Sequence, residues 1–458
     1  MLRSPIVSCV LGVIVALAPI VTWAADEPGG MQVDIVAAET RRPIAGALVT
    51  ITDRGGNQQS DTTAADGRVT FATLAPGLYA VALGAEGRAT AEEPSVRVVR
   101  RKITPLNIEL LEVDEAIEEV VVVARARGRL ADPFGAVSNS FFNREELRSA
   151  VGAGSDDMRA LDGMPGLVST GDFANFSVRG RGPRDNLFFV DGLPFDRVVH
   201  FDQTLGEEED IGGGGRFSIF APNSITGAEF SPGGWSAAYG GRSGSLLKLD
   251  VAGGTPTPSA SLRVDIAGLE LGYEGPSGLR DDTTVFLTAR NFDFGRVFDF
   301  IDEKDIGSPE LTDVVLKTVT DYDSRNTFEF LGIYAPEQYT RDIDNVLASP
   351  DLADVALLET EQDLALVGFT WRRLVGANAE WVNRFYFRQN DKSSSEGEAY
   401  PDLVPEGTPP ESIPVRENLL TVGEKETEIG WRSDYTTRNR FGELSAGLRV
   451  WQTDADYS

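Results

Sequence analysis

From Ser259 onward the chain alternates apolar and polar residues with a period of two, and this pattern limits the fold more than any other feature. Leu262, Val264 and Ile266 are separated by Arg263 and Asp265. Thr427, Ile429, Trp431, Ser433 and Tyr435 alternate with Glu426, Glu428, Gly430, Arg432 and Asp434. Leu444, Ala446, Leu448 and Val450 alternate with Glu443, Ser445, Gly447 and Arg449. Successive strand residues point to opposite faces, so each run makes one apolar and one charged face. A soluble sandwich would turn the apolar face inward. A barrel in a bilayer turns it to lipid and lines the lumen with charge. On the second arrangement Ile429 and Trp431 face lipid, while Glu428 and Arg432 face inward. Trp371, Trp381, Phe385, Phe387, Trp431 and Trp451 near strand ends are expected in interfacial girdles. The short connection 275–282 contrasts with long polar stretches over 294–326 and 392–423, as expected for a barrel with turns on one rim and loops on the other.

The chain start reads as an export signal. Arg3 precedes an apolar run from Ile6 to Val21, and Thr22-Trp23-Ala24 supplies the small residues for cleavage after Ala24. A membrane anchor is the alternative, disfavoured by Pro19 and by a run shorter than the ~20 residues a spanning helix needs. Cys9 is the only cysteine and leaves with the signal, so neither disulfides nor thiolate ligands are expected. His200 is the only histidine, which excludes a His-rich zinc site; in a loop it is expected to be solvated. No carboxylate pair stands in an acid–base arrangement, and no enzyme activity, cofactor or metal is expected. The formal charge of −29 repels phosphates, which excludes nucleic acid as a partner. No apolar run of ~18 residues follows the leader, so any membrane crossing would be by strands.

Ahead of the alternating region lie two further units. Val33-Asp34-Ile35-Val36, Ala47 to Ile51, Val69-Thr70-Phe71 and Leu78 to Leu83 are β-type runs. Asp66-Gly67 after the polar stretch 60–65 is a hairpin signal, and Pro76-Gly77 marks a turn. This spacing suggests a small β-sandwich. Pro43-Ile44-Ala45-Gly46-Ala47, Thr63 to Gly67 and Leu74-Ala75-Pro76-Gly77-Leu78-Tyr79 make it resemble a carboxypeptidase-regulatory-like, transthyretin-type domain. In the second unit, Asp156 to Leu161 is expected to form a short helix, and Phe176 to Gly180, Leu187 to Gly192, Ile225 to Phe230 and Ser245 to Val251 are expected strands. Glu207 to Asp210 with Gly212 to Gly215 reads as a polar loop; no lysine follows as a phosphate-binding loop requires.

Four motifs give this second unit a specific likeness. They are Met158 to Val168, Ser177-Val178-Arg179-Gly180, Phe189-Val190-Asp191-Gly192-Leu193-Pro194, and Ala237-Ala238-Tyr239-Gly240-Gly241-Arg242-Ser243-Gly244. In that order they resemble the plug of TonB-dependent outer-membrane receptors. The resemblance marks Arg179, Gly180, Asp191, Gly192, Tyr239, Gly240 and Arg242 as plug-motif residues. It implies that plug arginines pair with luminal carboxylates, with Glu380 or Glu428 expected for Arg179 and a solvated turn arginine as the alternative. It also makes the acidic and valine-rich Glu119-Val120-Val121-Val122-Val123 similar to a TonB box, although a buried strand is the alternative.

The expected fold is therefore mostly β, with a signal over 1–24, a β-sandwich over 30–111, a linker over 112–132, an α+β plug over 133–251 and a partial barrel over 252–458. Plugged transporters use about 22 strands, whereas the 207 residues from Ala252 hold roughly eight at ~10 residues each. The chain also lacks the terminal aromatic usual in the family, so the sequence reads as the N-terminal part of such a receptor. The resemblance implies active import of an iron chelate, cobalamin or glycan, at the outer membrane, with the first domain in the periplasm. The expected partners are the TonB energy-transducing complex, outer-membrane lipid, a small-molecule or oligomeric ligand, and a surface lipoprotein as a candidate. The alternative is a ligand-sensing or secretion-associated receptor without transport.

Overall fold

A computed structural model describes residues 28–37, 42–98, 102–110, 122–123, 139–149, 158, 167–169, 176–182, 185–195, 197–201, 217–255, 257–323, 325–350, 355–376, 379–405, 407–439 and 442–458. The leader with its cleavage point, the 207–215 loop and all of the 156–161 helix except Met158 lie outside the described residues.

Eight strands come first: β1 (Gly29–Ala37), β2 (Leu48–Asp53), β3 (Gln58–Thr62), β4 (Arg68–Leu74), β5 (Gly77–Gly84), β6 (Ala91–Val98), β7 (Ile103–Leu110) and β8 (Val122–Val123). They form two sheets, ordered β4-β1-β7 and β3-β2-β5-β6-β8. Alternation drives the pairing of these sheets. Met31, Val33 and Ile35 of β1 point inward and meet Val49 and Ile51 of β2 and Val81 and Leu83 of β5. The Asp66-Gly67 turn is not a hairpin between neighbours. Gly67 takes a φ of 73°, but β3 and β4 on either side of it belong to different sheets. The polar stretch 60–65 begins within the edge strand β3, whose residues are all exposed.

The second unit comprises β9 (Ser140–Asn143), α1 (Arg144–Ser149), β10 (Leu167–Ser169), β11 (Phe176–Val178), β12 (Leu187–Val190), β13 (Leu193–Pro194), β14 (Val199–His200), β15 (Phe217–Ser218), β16 (Ile225–Ser231) and β17 (Leu246–Val251). Its main sheet runs β13-β12-β17-β16-β9, with β12 and β17 parallel. All four residues of β12 are buried, which is why that strand is continuously apolar. Phe176 packs edge-to-face against Phe188 and Phe230, with centroids 6.2 and 6.4 Å apart. This unit reaches back to the first one. Arg97 Nε of β6 donates to Glu145 Oε2 at 2.7 Å, and Asn143 Nδ2 donates to Glu93 Oε1 at 2.6 Å.

The remainder is one antiparallel sheet of nine strands in sequence order, with each strand paired to the next. These are β18 (Ser259–Val264), β19 (Gly268–Pro276), β20 (Thr283–Asp293), β21 (Ser308–Asp321), β22 (Asn326–Arg341), β23 (Ala356–Val375), β24 (Ala379–Ala399), β25 (Val415–Asn439) and β26 (Gly442–Tyr457). Two helices, α2 (Gly295–Ile301) and α3 (Ile343–Ala348), stand in its longer connections. The second unit sits against one face, and together the two parts make a plugged, barrel-like fold. One core joins Phe188, Val190 and Leu193 of the plug to Val315, Leu331, Ile333 and Leu366 of the wall.

The outer face is apolar, as alternation predicts: Ile429 is 64% exposed, while Glu428 and Arg432 are buried on the inner face. Phe328, Phe369, Trp371 and Trp381 form a ring cluster near the short-turn rim, with successive centroids 5.7 to 6.4 Å apart. Trp451 does not join a girdle. It lies opposite Gly430 on the inner face, under Arg449 at 4.6 Å. The wall also has nine strands rather than eight. The stretch 294–326, read as a loop, contains α2 and all of β21. In β21, inward-facing Asp313 and Lys317 interrupt what would otherwise be an apolar face. The second long stretch shrinks similarly, because β24 and β25 extend into it and leave 400–414 as the connection.

Gly368 shows how tightly plug and wall fit. A Cβ there would stand 2.1 Å from Leu193 Cδ1. Gly368→Val is expected to cost about 1–3 kcal/mol by overpacking, and Leu193→Ala about 2–5 kcal/mol by leaving a cavity. The double variant should cost clearly less than the sum, measured by thermal or urea unfolding. Additive costs would show that the two residues do not meet.

Candidate functional site

The chemistry of this molecule is concentrated where the plug meets the inner face of the wall. Asp191 and Gly192 make the two-residue turn between β12 and β13, with φ values of 51° and 77°. Both central residues need positive φ in such a hairpin, which explains the Asp-Gly pair. The turn also delivers Asp191 to the wall. Its Oδ2 lies 2.9 Å from Lys317 Nζ, and its Oδ1 accepts from Val251 N at 3.1 Å. Lys317 donates to Val251 O at 2.9 Å, and Glu329, Arg372 and Glu380 extend the ionic chain along the wall. Burial pushes the Asp191 carboxyl up to about 6, against the pull of Lys317 and with Glu329 and Asp250 adding to the rise. Gly192 leaves room for Arg384, whose Nε would lie 2.7 Å from a Cβ there.

Tyr239 is placed between two cations. Lys248 Nζ sits 4.6 Å from its ring centroid and Arg432 of β25 sits 4.8 Å away. Phe189 meets the same ring edge-on at 4.8 Å, and Lys248 pairs with Glu229 at 3.0 Å across β16 and β17. The tyrosine motif therefore carries an aromatic face that plug and wall share. Gly180, Gly240 and Arg242 are exposed.

Arg179 departs from expectation. It is exposed in a left-handed turn with φ 50°. The carboxylates expected for it are held by wall arginines: Glu380 by Arg372 at 3.1 Å, and Glu428 by Arg388 and Arg449, each at 2.9 Å. Tyr386 also donates to Glu428 at 2.6 Å. His200 departs further. It is fully buried rather than solvated, with Nε2 2.6 Å from Asp313 Oδ1 and Nδ1 2.7 Å from Glu337 Oε2. Beside Glu428, the side chains of Phe195, Arg197, Leu364, Arg388 and Asn390 line a small cleft open to solvent. Arg197 of the plug reaches Glu424 of the wall there at 3.2 Å.

Of the acidic and valine-rich segment, Val122 and Val123 form β8, which pairs in parallel with Ala91 and Glu92 of β6. Glu119, Val120 and Val121 lie outside the described residues. Lys317 and Lys248 are not marked by any motif in the sequence. The available signal was a polar residue within a run of apolar strand residues, as in Leu246-Leu247-Lys248-Leu249.

Lys317→Met would leave Asp191 buried without its partner. The expected loss is about 3–5 kcal/mol at pH 8, shrinking as pH falls toward about 6, because Asp191 without the pull of Lys317 takes up its proton above that value. Adding Asp191→Asn should recover most of it. Unfolding midpoints between pH 5 and 8 check this; a loss independent of pH would contradict the pairing.

Two family models match the chain. The Carboxypeptidase regulatory-like domain covers residues 33–111 and the TonB-dependent Receptor Plug Domain covers residues 135–245. No curated protein sequence matches. Among solved structures, the siderophore receptor PirA from Acinetobacter baumannii is similar at 12% identity and a TM-score of 0.39. That alignment covers 70% of this chain and 54% of the receptor. A mutant ferric enterobactin receptor, PfeA from Pseudomonas aeruginosa in complex with enterobactin, is similar at 14% identity and a TM-score of 0.37. There the coverage is 71% of this chain and 60% of the other. The chain thus spans between half and two thirds of the length of these receptors. On the two family matches, the chain carries a carboxypeptidase regulatory-like domain followed by a TonB-dependent receptor plug domain.

Proposed function

We propose that this chain is the plug-bearing part of a receptor that imports a scarce nutrient across the outer membrane, driven by the TonB complex. The observation that carries the reading is a plug domain seated on the charged inner face of a sheet whose outer face is apolar. Such a sheet suits lipid outside and a filled lumen inside. The substrate class is an iron chelate, cobalamin or glycan, taken up from the long-loop side. The first domain stands in the periplasm, and the units divide as 30–111, 112–132, 133–251 and 252–458 after a signal over 1–24. Growth on the limiting nutrient, with and without the full-length gene, tests the reading; normal growth and uptake without it would refute it.

The coupling segment is Glu119-Val120-Val121-Val122-Val123. A valine run is stiff and extended, and can add to a partner sheet through main-chain hydrogen bonds. Val122 and Val123 pair with two residues of β6, as a structural strand would, and coupling requires that short pairing to open. Recognition through backbone makes Val121→Ala mild, whereas Val121→Pro removes a donor. The proline variant of the full-length protein should assemble and bind ligand yet fail to import it. Normal import, or failed assembly, would assign these valines to a structural strand instead.

Lipid contact makes a second prediction. Ile429→Lys should cost about 2–4 kcal/mol near the midplane and reduce outer-membrane assembly, while Ile429→Phe should not. Glu428→Lys is no mild control, since it would set an ammonium beside Arg388 and Arg449. Equal assembly of both Ile429 variants would argue against a lipid-facing outer surface.

A further inference from the structure

His200 is the only histidine in the sequence, and no role described above uses it. It ends β14 of the plug, yet both of its ring nitrogens meet carboxylates of the wall. Nε2 faces Asp313 of β21 and Nδ1 faces Glu337 of β22, at 2.6 and 2.7 Å. A neutral imidazole has one donor and one acceptor nitrogen. Placed between two carboxylates, it would press a lone pair against an anion at hydrogen-bond distance. The two contacts need a proton between each nitrogen and its carboxylate, and because Arg290 already donates to Asp313 and the Phe201 amide to Glu337, both carboxyls are held ionised and the ring carries both protons.

Charge counting gives the same answer. Asp313 and Glu337 bring two negative charges into a site where His200 and both carboxyl groups are at most 3% exposed. Arg290 of β20 supplies one cation, donating to Asp313 Oδ2 at 2.7 Å and to Ser218 O at 2.6 Å. Glu270 of β19 also faces Arg290 and Asp313, but Arg263 lies 3.6 Å from it. Among the described residues, the other neighbours are the Phe201 ring, the Phe201 amide, which donates to Glu337 at 3.0 Å, and the Gln362 amide, which stands between Glu337 and Arg197; Arg197 itself is paired with Glu424. One buried negative charge is left over unless the site holds a further proton, and the donors already on both carboxylates place that proton on His200.

We propose that His200 is held as an imidazolium and acts as a proton-dependent staple, fastening the β14–β15 hairpin of the plug to β21 and β22. The proposal stands on this geometry and does not depend on import. Burial opposes the charge, but Asp313 and then Glu337 outweigh it and push the imidazole up to about 9. Because that value lies above the ordinary 6.5, the staple contributes fully below about 6.5 and is lost as pH rises through about 9.

A single histidine makes the test direct. The full-length protein in detergent, labelled with 13C,15N-histidine, should report one buried imidazole protonated on both nitrogens at pH 7.5. Its titration midpoint should lie at or above 8. Amide exchange of 198–201 and 217–220, corrected for the intrinsic rate, should speed up at least tenfold between pH 7.5 and 10. Residues 187–190 serve as the internal control and should stay protected. His200→Gln should exchange fast in the hairpin at both pH values. A ring neutral at pH 7.5, a midpoint near 6.5, or hairpin protection that ignores the titration would each overturn the proposal. If His200→Gln fails to assemble, the titration and exchange of the unmodified protein still decide it.

Discussion

The inner face of the nine-stranded sheet is charged and buried, and every part seated against it has to answer that charge. Arg290, Asp313, Lys317, Glu337, Glu428 and Arg432 are each less than 9% exposed. Charges taken out of water at such sites need partners and hydrogen bonds, or the structure bears an uncompensated desolvation cost. The wall meets part of the need internally, through Arg388 and Arg449 on Glu428 and Arg384 and Arg432 on Asp434. The plug meets the rest, with Asp191 answering Lys317, His200 answering two carboxylates, and the Tyr239 ring facing Arg432. A plug displaced by one residue along the wall would break all of these at once. The ionic contacts therefore fix where the plug sits more than they strengthen its hold.

Apolar contact supplies adhesion that charge does not. The shared core of Val190, Leu193, Val315, Leu331 and Leu366 removes a continuous apolar surface from water. Glycines bring the two surfaces together. Gly368 admits Leu193 from the plug side, and Gly192 admits Arg384 from the wall side. These two absent side chains sit on neighbouring contacts of the same hairpin. The Asp191-Gly192 turn thus serves as a hairpin, a charge carrier and a close-packing point.

Much of this was legible in the sequence, and the exceptions share a cause. Alternation in β25 and β26 sets Ile429, Trp431, Leu448 and Val450 on one face, and they lie on the outer side of the wall. The Asp191-Gly192 and Tyr239 motifs pointed at plug residues that do meet the wall. β21 was missed because a wall strand facing a plug can be charged on its inner side and only modestly apolar on its outer side. Trp451 was misplaced because an aromatic near a strand end says nothing about which face it takes without a register. Arg179 and His200 exchanged their expected environments. Local sequence cannot show which side chain of a loop a distant strand will cover, and Asp313 and Glu337 are more than a hundred residues from His200.

The two charged attachments of the plug respond oppositely to protons, and this divides the seam into unlike halves. Asp191 meets Lys317 toward the short-turn end of β21, while His200 meets Asp313 toward its long-loop end. Burial raises Asp191 to about 6, so the folded state prefers its neutral form and the ion pair, present above that pH, positions the turn at a cost in stability. His200 is raised to about 9 by its carboxylates, so its charged form is the one that folding favours, and it adds stability up to that pH. Between about 6 and about 9 both pairs are intact. Within that window the long-loop end is held by a contact that folding rewards, and the short-turn end by one it merely tolerates. The first domain makes its contacts with the plug at Asn143 and Glu145, in the segment that also leads the chain into the plug. Among the described residues, the chain from that domain therefore enters the plug at β9, an edge strand paired with β16, and not at the hairpin that His200 fastens.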